Sequence, residues 1–321
     1  MKHSGHIAIL GAGNMGTALG HLLASNGHEV VLWDFFTEVV EEINLRHRNS
    51  RYLDGVELSK RIRATSSRIE CVQDAAMLVL AMPSAFIVDA LLEVKPVLSS
   101  KIPVISAAKG VLRDTHEPIS EKIAEVVASD QLTILGGPAI ANEFSRGMAT
   151  AVMLASVSSE QCALWQGALQ NDFFRTLPTQ DVTGVYLGGI LKNVYAILLG
   201  YLDALGGGKN LEAAVLNAAL REMAMLAIAK SAQRETIYGL AGLGDLVATG
   251  FSKDSHNRGY GWKLGSNSGL SETKLLPEGA WAVHSVCLWA NEAKVEVPLA
   301  CLVKEIVEGK RPGLAEALRF I

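Results

Sequence analysis

A glycine-rich turn between two apolar runs constrains the fold of this chain more than any other feature. The first run, Ile7–Leu10, leads into three glycines with the spacing G-x-G-x-x-G, which are Gly11, Gly13 and Gly16. A helix-like segment follows, and a second apolar run, Val30–Trp33, ends on Asp34. Strand, glycine turn, helix and a second strand closed by an acid are typical of the first unit of a Rossmann fold. The sequence therefore predicts an α/β protein with a Rossmann-like, doubly wound and mostly parallel sheet.

The same turn predicts a dinucleotide site. In such units the first glycine permits the tight turn, the second lets the backbone approach a pyrophosphate, and the third lets helix and strand pack closely. The helix N-terminus, with Asn14 and Met15 in its first turn, presents free N–H groups and a favourable dipole to the phosphates. The alternative is a tight strand–helix turn that binds no ligand.

Asp34 indicates which dinucleotide is bound. It follows Gly16 by 18 residues, close to the spacing expected of an acid that binds the ribose hydroxyls. Because a carboxylate there repels the additional phosphate of NADP, the sequence predicts NAD as the cofactor.

The alternation of apolar strands with helix-like segments continues through the first half of the 321-residue chain. Further strands are predicted near 77–82, 104–108, 132–135, 150–154 and 174–177. After about residue 185 the β-branched clusters thin out. Helices are then predicted at 186–204, 211–232, 238–249, 256–265, 277–293 and 298–309. We therefore expect a dinucleotide-binding domain at 1–186 and an all-helical substrate domain at 187–321, with a ligand cleft between them.

Composition argues against several classes of protein. The formal net charge of −4 and the pI of about 6.1 give no reason to expect nucleic acid or an anionic membrane as a partner. The four cysteines form no C-x-x-C motif and no cluster with histidines, so we expect reduced thiols, a cytoplasmic protein and no metal. The opening residues predict no signal peptide. The apolar stretch 185–205 contains Lys192, Asn193 and Asp203, which favours a buried helix over a membrane span.

Lys192 is the first candidate for chemistry outside the glycine turn. It lies among small and apolar residues in the segment 188–196. Desolvation lowers the pKa of an amine and makes proton transfer near neutral pH feasible. The alternative is a lysine that extends to the helix surface or pairs with an acid.

A second glycine-rich segment, 239–244, precedes Asp245 and, one helical turn later, Thr249. Because positions i and i+4 share one face of a helix, the carboxylate and the hydroxyl are predicted to lie on the same side. The alternative is a glycine-rich turn whose aspartate caps the following helix.

Taken together, these segments resemble the NAD-dependent glycerol-3-phosphate dehydrogenases nearly from end to end. The matching segments are 11–19, 49–53, 83–84, 109–110, 137–143, 181–185, 191–193, 239–246, 255–258, 278–279 and Pro298. Their order and spacing are far more specific than the glycine motif alone. The resemblance implies interconversion of glycerol 3-phosphate and dihydroxyacetone phosphate with NAD(H), and a homodimer.

The resemblance also implies roles for individual residues. Lys192 matches the proton-transfer residue of the family, and the residues that line its pocket match Lys109, Asp245 and Thr249. The positions that hold substrate match Asn193, His256, Asn257 and Gly137. Beyond the glycine turn and Asp34, the positions on the cofactor side match Pro83, Ala141, Arg258 and Glu278.

The chain departs from the family pattern at several charged positions. The arginine that grips the substrate phosphate is His256 here, and an imidazole cannot bind a phosphate bidentately as a guanidinium does. Arg258 replaces it only if the loop shifts. A family lysine, an arginine and a glutamate are replaced by Asn142, Ala218 and Tyr186. These departures do not change the predicted fold. They remove charges that the family pattern places around the substrate phosphate.

Two other functions stay open at this point. A reductase of another small hydroxy or keto acid, such as ketopantoate or hydroxyisobutyrate, would keep NAD and Lys192, and His256 favours it. A non-catalytic protein that senses NAD(H) has no need for the combination of Lys109, Lys192, Asp245 and Thr249, which argues against that role.

Overall fold

The computed structural model describes residues 5–266 and 276–321, and the chain divides into two compact units. Unit 1 is formed by Met1–Ala108, Ile119–Leu135 and Ala139–Val182, as far as these segments are described. Unit 2 is formed by Lys109–Pro118, Gly136–Pro138 and Thr183–Ile321, as far as they are described. The predicted division at residues 186 and 187 did not include the two short segments, 109–118 and 136–138, that pack with unit 2. Lys109 therefore belongs to the helical unit, although it lies far from that unit in the sequence.

Unit 1 is built on a mostly parallel sheet. Its strands are β1 (Ile7–Leu10), β2 (Val30–Trp33), β3 (Ile62–Thr65), β4 (Met77–Leu80), β5 (Val104–Ser106), β6 (Leu132–Gly136), β7 (Thr150–Ala155) and β8 (Phe174–Thr179). The eight described strands lie in the order β3-β2-β1-β4-β5-β6-β7-β8. Parallel pairing joins β3 to β2, β2 to β1, β1 to β4, β4 to β5, β5 to β6 and β7 to β8. The strand order reverses between β1 and β4, which is where doubly wound sheets bind ligands.

Helices accompany the sheet of unit 1. They are α1 (Asn14–Ser25), α2 (Thr37–Arg46), α3 (Arg68–Val72), α4 (Ile87–Val94), α5 (Ile119–Val126), α6 (Ala141–Phe144) and α7 (Ser159–Leu169). Short 3-10 turns occur at Ser84–Phe86, Lys95–Val97 and Ser129–Gln131. Every residue of β1, β2 and β4 is buried, as expected for strands covered on both faces.

Unit 2 is helical. Its helices are α8 (Val182–Ala204), α9 (Gly208–Ala229), α10 (Arg234–Tyr238), α11 (Asp245–Phe251), α12 (His256–Gly265), α13 (Glu278–Ala293), α14 (Pro298–Val307) and α15 (Leu314–Leu318). A π-helical turn, Leu240–Gly244, precedes α11. The core of this unit is a separate apolar cluster centred on α8, which contributes Tyr195 and Tyr201 as fully buried side chains. The predicted fold class, a mostly parallel sheet followed by an all-helical part, is confirmed.

Helix α8 is the one helix in the described residues that is long and apolar enough to cross a membrane by length and composition. However, 83% of its apolar window is buried inside the protein. This burial matches the interpretation of 185–205 as a core helix.

Candidate active site

The glycine turn of unit 1 has the local geometry that its spacing predicts. Gly11 has φ +111°, and a Cβ there would lie 2.7 Å from the carbonyl oxygen of Ala81. A Cβ on Gly16 would lie 1.8 Å from the carbonyl oxygen of Gly11. Both positions therefore require glycine, the first for its backbone conformation and the second for the close approach of α1 to the turn.

Gly13 leaves the N-terminus of α1 open. A Cβ on Gly13 would have no neighbour within 4 Å, and Gly13 makes no side-chain cap at the start of α1. The first N–H groups of a helix have no partner within the helix, so an uncapped start can receive a phosphate. This open cradle fits the pyrophosphate of a dinucleotide.

A buried amide that we did not predict as a site residue holds this turn in place. Asn49, fully buried, donates through Nδ2 to the carbonyl oxygen of Ala12 and to Oγ1 of Thr17, both at 2.8 Å. Thr17 Oγ1 also donates to Ala12 O at 2.9 Å. The matching segment 49–53 contained the signal, but only the fold shows what Asn49 contacts.

Asp34 lies directly after β2 and is 7% exposed. Its Oδ1 accepts a hydrogen bond from the backbone N–H of Phe36 at 2.9 Å. Burial raises the pKa of this carboxyl, while the Phe36 N–H and the charge of Arg51 act in the opposite direction. The carboxylate is thus held at the end of β2, beside the strand that precedes the glycine turn.

The other residues predicted on the cofactor side of unit 1 differ in burial and in hydrogen bonding. Asn14 donates to Tyr52 O at 2.6 Å and to Asn142 Oδ1 at 3.1 Å, so Asn142, which replaces a family lysine, contacts the glycine turn. Met15 is half-buried, Pro83 is exposed before a 3-10 turn, and Ala141 is buried at the start of α6.

Unit 2 brings four predicted residues into one hydrogen-bonded cluster, which we call the lysine–aspartate centre: Lys109, Lys192, Asp245 and Thr249. Asp245 accepts from Lys192 Nζ through Oδ1 at 2.5 Å and from Lys109 Nζ through Oδ2 at 2.8 Å. Lys192 Nζ also lies 2.7 Å from Thr249 Oγ1, and that hydroxyl is 3.3 Å from Asp245 Oδ1. One carboxylate therefore serves two ammonium groups.

Glycines on α8 allow this convergence. A Cβ on Gly188 would lie 2.3 Å from the carbonyl oxygen of Ala241, so the π turn before Asp245 can approach α8 only at a glycine. A Cβ on Gly189 would lie 3.1 Å from the aliphatic carbons of Lys109. Gly188 and Gly189 thus let the backbone that carries Asp245 and the side chain of Lys109 come close to the helix that carries Lys192.

The centre is buried, and its burial shifts its pKa values. The side chains of Lys192 and Asp245 are 10% and 2% exposed. Burial, and after it the charge of Lys109, lower the pKa of Lys192 against the opposing effects of Asp245 and Glu278, and the pKa that results is about 8. Burial alone would raise the pKa of Asp245, but Lys109 and Lys192 together hold it below its ordinary value. Lys192 is therefore both desolvated and paired with an acid, and it can exchange a proton near neutral pH.

The other predicted residues of unit 2 lie on α8, beside Lys109, and at the starts of α12 and α13. Asn257 is buried and its Oδ1 accepts from the backbone N–H of Gly279 at 2.9 Å, next to Glu278, the first residue of α13. Asn193 follows Lys192 on α8 and is also buried. Gly137, with φ +94°, offers its carbonyl oxygen to Lys109 Nζ at 3.4 Å. His256 is exposed at the first position of α12.

Arg258 is already engaged inside unit 2. Its guanidinium donates to Asp203 Oδ2 at 2.5 Å and to the carbonyl oxygen of Gly250 at 2.9 Å. Sequence reasoning placed Arg258 on the cofactor side and did not identify Asp203 as its partner. Because these contacts use the guanidinium, Arg258 would have to leave Asp203 to replace the missing phosphate-gripping arginine.

Among residues 5–266 and 276–321, no group of three or more His, Cys, Asp or Glu side chains is arranged to hold a metal ion.

Comparison with known proteins identifies the family. Residues 6–162 match the family described as NAD-dependent glycerol-3-phosphate dehydrogenase N-terminus, and residues 181–316 match the corresponding C-terminus family. The chain belongs to the NAD-dependent glycerol-3-phosphate dehydrogenase family. The resemblance inferred from the sequence is thereby confirmed.

Relatives extend over nearly the whole chain. A glycerol-3-phosphate dehydrogenase [NAD(P)+] from Citrifermentans bemidjiense is 37% identical over 300 residues, covering 91% of this chain and 90% of the relative. One from Carboxydothermus hydrogenoformans is 37% identical over 313 residues, covering 95% and 93%. The crystal structure of glycerol-3-phosphate dehydrogenase from Coxiella burnetii superposes with a TM-score of 0.89 at 30% identity and 98% coverage of both chains. A D-mandelate dehydrogenase structure, at 15% identity and a TM-score of 0.62, shares the fold.

Proposed function

We propose that this protein is an NAD-dependent oxidoreductase that interconverts glycerol 3-phosphate and dihydroxyacetone phosphate. The observation that carries the proposal is the buried Lys192, held between Asp245 and Thr249 in a member of this dehydrogenase family. The relatives named above are glycerol-3-phosphate dehydrogenases that use NAD(P)+. A cofactor-binding sensor has no use for a desolvated amine with a pKa near working pH.

In this proposal Lys192 transfers the proton of the reaction. In the reducing direction its ammonium polarises the ketone and donates a proton to the new alkoxide, and in the oxidising direction the neutral amine accepts the alcohol proton. NAD(H), when bound, supplies or accepts the hydride. Asp245 and Thr249 fix the position of Nζ, which limits the orientations from which a proton can be given.

Lys109 supports the same step by charge. Its ammonium is held on the other oxygen of Asp245 and lowers the pKa of Lys192. We propose that it also orients the polar end of the substrate, because its side chain is 15% exposed and thus reachable. Asn193, Asn257 and the Gly137 carbonyl are proposed to complete the substrate side.

The residue that would contact the substrate phosphate differs from the arginine of the family pattern. With Arg258 bound to Asp203, the exposed His256 at the start of α12 is the proposed phosphate contact. A single imidazole donor binds phosphate less firmly than a bidentate guanidinium. This observation favours a second candidate, an NAD-dependent reductase of a phosphate-free hydroxy or keto acid on the same Lys192 chemistry.

One assay separates these two candidates from each other and from a non-catalytic sensor. NADH oxidation is measured with dihydroxyacetone phosphate and with phosphate-free ketones and keto acids, for the unmodified protein and for His256→Arg. We expect turnover with dihydroxyacetone phosphate, and a lower KM for it in His256→Arg. Turnover with phosphate-free substrates alone would establish the second candidate, and binding of NADH without turnover of any small ketone would establish a sensor.

We also propose that Asp34 makes NADH the preferred cofactor, since it would repel the 2′-phosphate of NADPH. The ratio of kcat/KM for NADH to that for NADPH is expected to exceed one, and Asp34→Gly is expected to reduce it by about tenfold or more, the factor that corresponds to about 1.4 kcal/mol. Asp54→Gly, a loop position, serves as the control. Equal use of both cofactors by the unmodified protein would remove this role from Asp34.

A homodimer and a cytoplasmic location complete the proposal. The family resemblance supports the homodimer, and the four free cysteines support the cytoplasmic location. Sedimentation velocity on the purified protein tests the dimer, and a monomer at micromolar concentration would contradict it.

A further inference from the structure

Two free cysteines lie on neighbouring helices of unit 2, outside the lysine–aspartate centre. Cys287 is on α13 and Cys301 is on α14. The two helices pack against each other and are joined by the short connection 294–297. Cys287 is half-buried and Cys301 is exposed.

The two side chains line the same groove. Both line a groove of about 560 Å³, together with Asn291, Glu305 and Arg319. Cys301 is near enough to Cys287 to contribute, after burial, to the raised pKa of the Cys287 thiol. A disulfide requires the two Cα atoms to lie within about 7 Å of each other, a separation that neighbouring side chains on packed helices can reach.

Their environments differ in the way that a reacting thiol and a resolving thiol differ. Burial and then the neighbouring Cys301 raise the pKa of Cys287 to about 12, so the Cys287 thiol stays protonated at neutral pH. Cys301 is open to solvent and to solutes that enter the groove. An oxidant therefore meets Cys301 first.

The other two cysteines lack this arrangement. Cys71 is buried and its thiol points to the carbonyl oxygens of Ile9 and Val31 in the sheet. Cys162 is buried and its thiol points to the carbonyl oxygen of Leu154. Both are internal controls for oxidation, because they are shielded and neither has a described thiol neighbour.

We propose that Cys287 and Cys301 form a reversible disulfide when the protein meets a peroxide. The Cys301 thiolate attacks one peroxide oxygen, the O–O bond breaks, and a sulfenic acid forms while the departing oxygen leaves as water. The Cys287 sulfur then attacks the sulfenic sulfur, forming the S–S bond and releasing a second water. The two thiols are oxidised by two electrons, the peroxide is reduced to two waters, and a dithiol reductant restores both thiols.

The disulfide would fasten α13 to α14 near a buried carboxylate. The backbone N–H groups of Leu299 and Ala300 at the start of α14 donate to Glu222 at 2.7 Å and 3.1 Å. Glu222 also accepts from Tyr195 on α8, one helical turn from Lys192, at 2.8 Å. Closing the loop between Cys287 and Cys301 restricts the unfolded chain, so the oxidised protein is expected to have the higher Tm.

The test is oxidation of the purified full chain with hydrogen peroxide, followed by intact-mass measurement and non-reducing peptide mapping. We expect the mass to fall by two hydrogen atoms, a peptide that links positions 287 and 301, and loss of two of the four reactive thiols in the denatured protein. Dithiothreitol should reverse all three changes. Cys301→Ser, at an exposed position, should abolish the link, whereas Cys162→Ser should leave it unchanged.

Two results would overturn the proposal. One is stable sulfinic acid, or any other adduct on Cys301, with no 287–301 link. The other is a linked peptide that includes Cys71 or Cys162 instead. Cys287→Ala, which leaves Cys301 in place, distinguishes a failure of folding from a loss of the resolving thiol, because this variant should still form the sulfenic acid on Cys301.

Discussion

At the scale of single residues, the structure centres on one carboxylate shared by two amines. Asp245 is almost fully buried, and each of its oxygens faces a lysine. A buried ammonium without a partner would be strongly destabilising, and a second ammonium beside it more so. Asp245 makes both charges tolerable, while burial still lowers the pKa of Lys192 to about 8. Lys192 can therefore act as a proton donor or acceptor within the ordinary pH range.

The pH dependence of the reaction follows from this pKa. In the reducing direction Lys192 must be protonated, so kcat is expected to fall as the pH rises through about 8. In the oxidising direction Lys192 must be neutral, so kcat is expected to rise over the same interval. Both profiles are measured with saturating substrates from about pH 6 to about pH 10, a range that brackets this titration.

Asp245→Asn supplies the diagnostic variant for these profiles. Without the carboxylate, burial and Lys109 lower the pKa of Lys192 against Glu278 alone. The alkaline limb of the reducing reaction should therefore move down by about one pH unit or more. Asp254→Asn, at an exposed loop position, is the matched control and should keep the original limb. A limb that stays in place in Asp245→Asn would show that another group titrates.

At the scale of helices and turns, unit 2 depends on glycines where backbones cross. A Cβ on Gly261 in α12 would lie 1.9 Å from the carbonyl oxygen of Ile197 in α8. A Cβ on Gly200 in α8 would lie 2.0 Å from the carbonyl oxygen of Arg258 in α12. Each helix thus presents a glycine to the backbone of the other, and this contact positions α12, with His256 at its start, on the helix that carries Lys192.

Two alanine variants in α12 test this contact. Gly261→Ala forces the two helices apart and is expected to destabilise the protein by about 1–3 kcal/mol or more, the usual cost of overpacking. Gly259→Ala, two residues away with no neighbour within 4 Å of the new Cβ, should be neutral or stabilise by about 0.5–1 kcal/mol. Chemical denaturation measures both. Equal stability of the two variants would contradict the close crossing.

Sequence patterns predicted the elements with strong local signals. The apolar runs before Gly11 and Asp34 became β1 and β2, and the predicted helix 256–265 coincides with α12. The edge strand β3 was not predicted, because its exposed Arg63 interrupts the kind of apolar run that marked β1 and β2. The predicted helix 238–249 is wrong at its start, because the glycines of 240–244 form a π turn before α11 begins at Asp245.

Contacts between distant segments could not be obtained from local patterns. The family resemblance indicated that Lys109, Lys192, Asp245 and Thr249 belong together, and the hydrogen bonds show how. The ion pair between Arg258 and Asp203 and the hydrogen bond from Asn49 to the glycine turn depend on tertiary packing. Spacing along the chain does not predict such contacts. The catalytic and binding roles of all these residues stay predictions.

At the scale of the whole molecule, two units carry two different parts of the chemistry. Unit 1 carries the open glycine turn and Asp34, which suit a dinucleotide. Unit 2 carries the lysine–aspartate centre, and the segment with Lys109 joins it from within the sequence of unit 1. The account therefore predicts that loss of the proton-transferring amine removes turnover without removing cofactor binding.

Lys192→Met tests this claim most directly, because it removes the amine and keeps the length of the side chain. We expect kcat for dihydroxyacetone phosphate reduction to fall by about a hundredfold to ten-thousandfold, the usual contribution of a general acid, while the Kd for NADH measured by fluorescence titration is unchanged. Lys263→Met, on the exposed side of α12, should match the unmodified protein in both measurements. Near-normal turnover in Lys192→Met with NADH still bound would contradict the account.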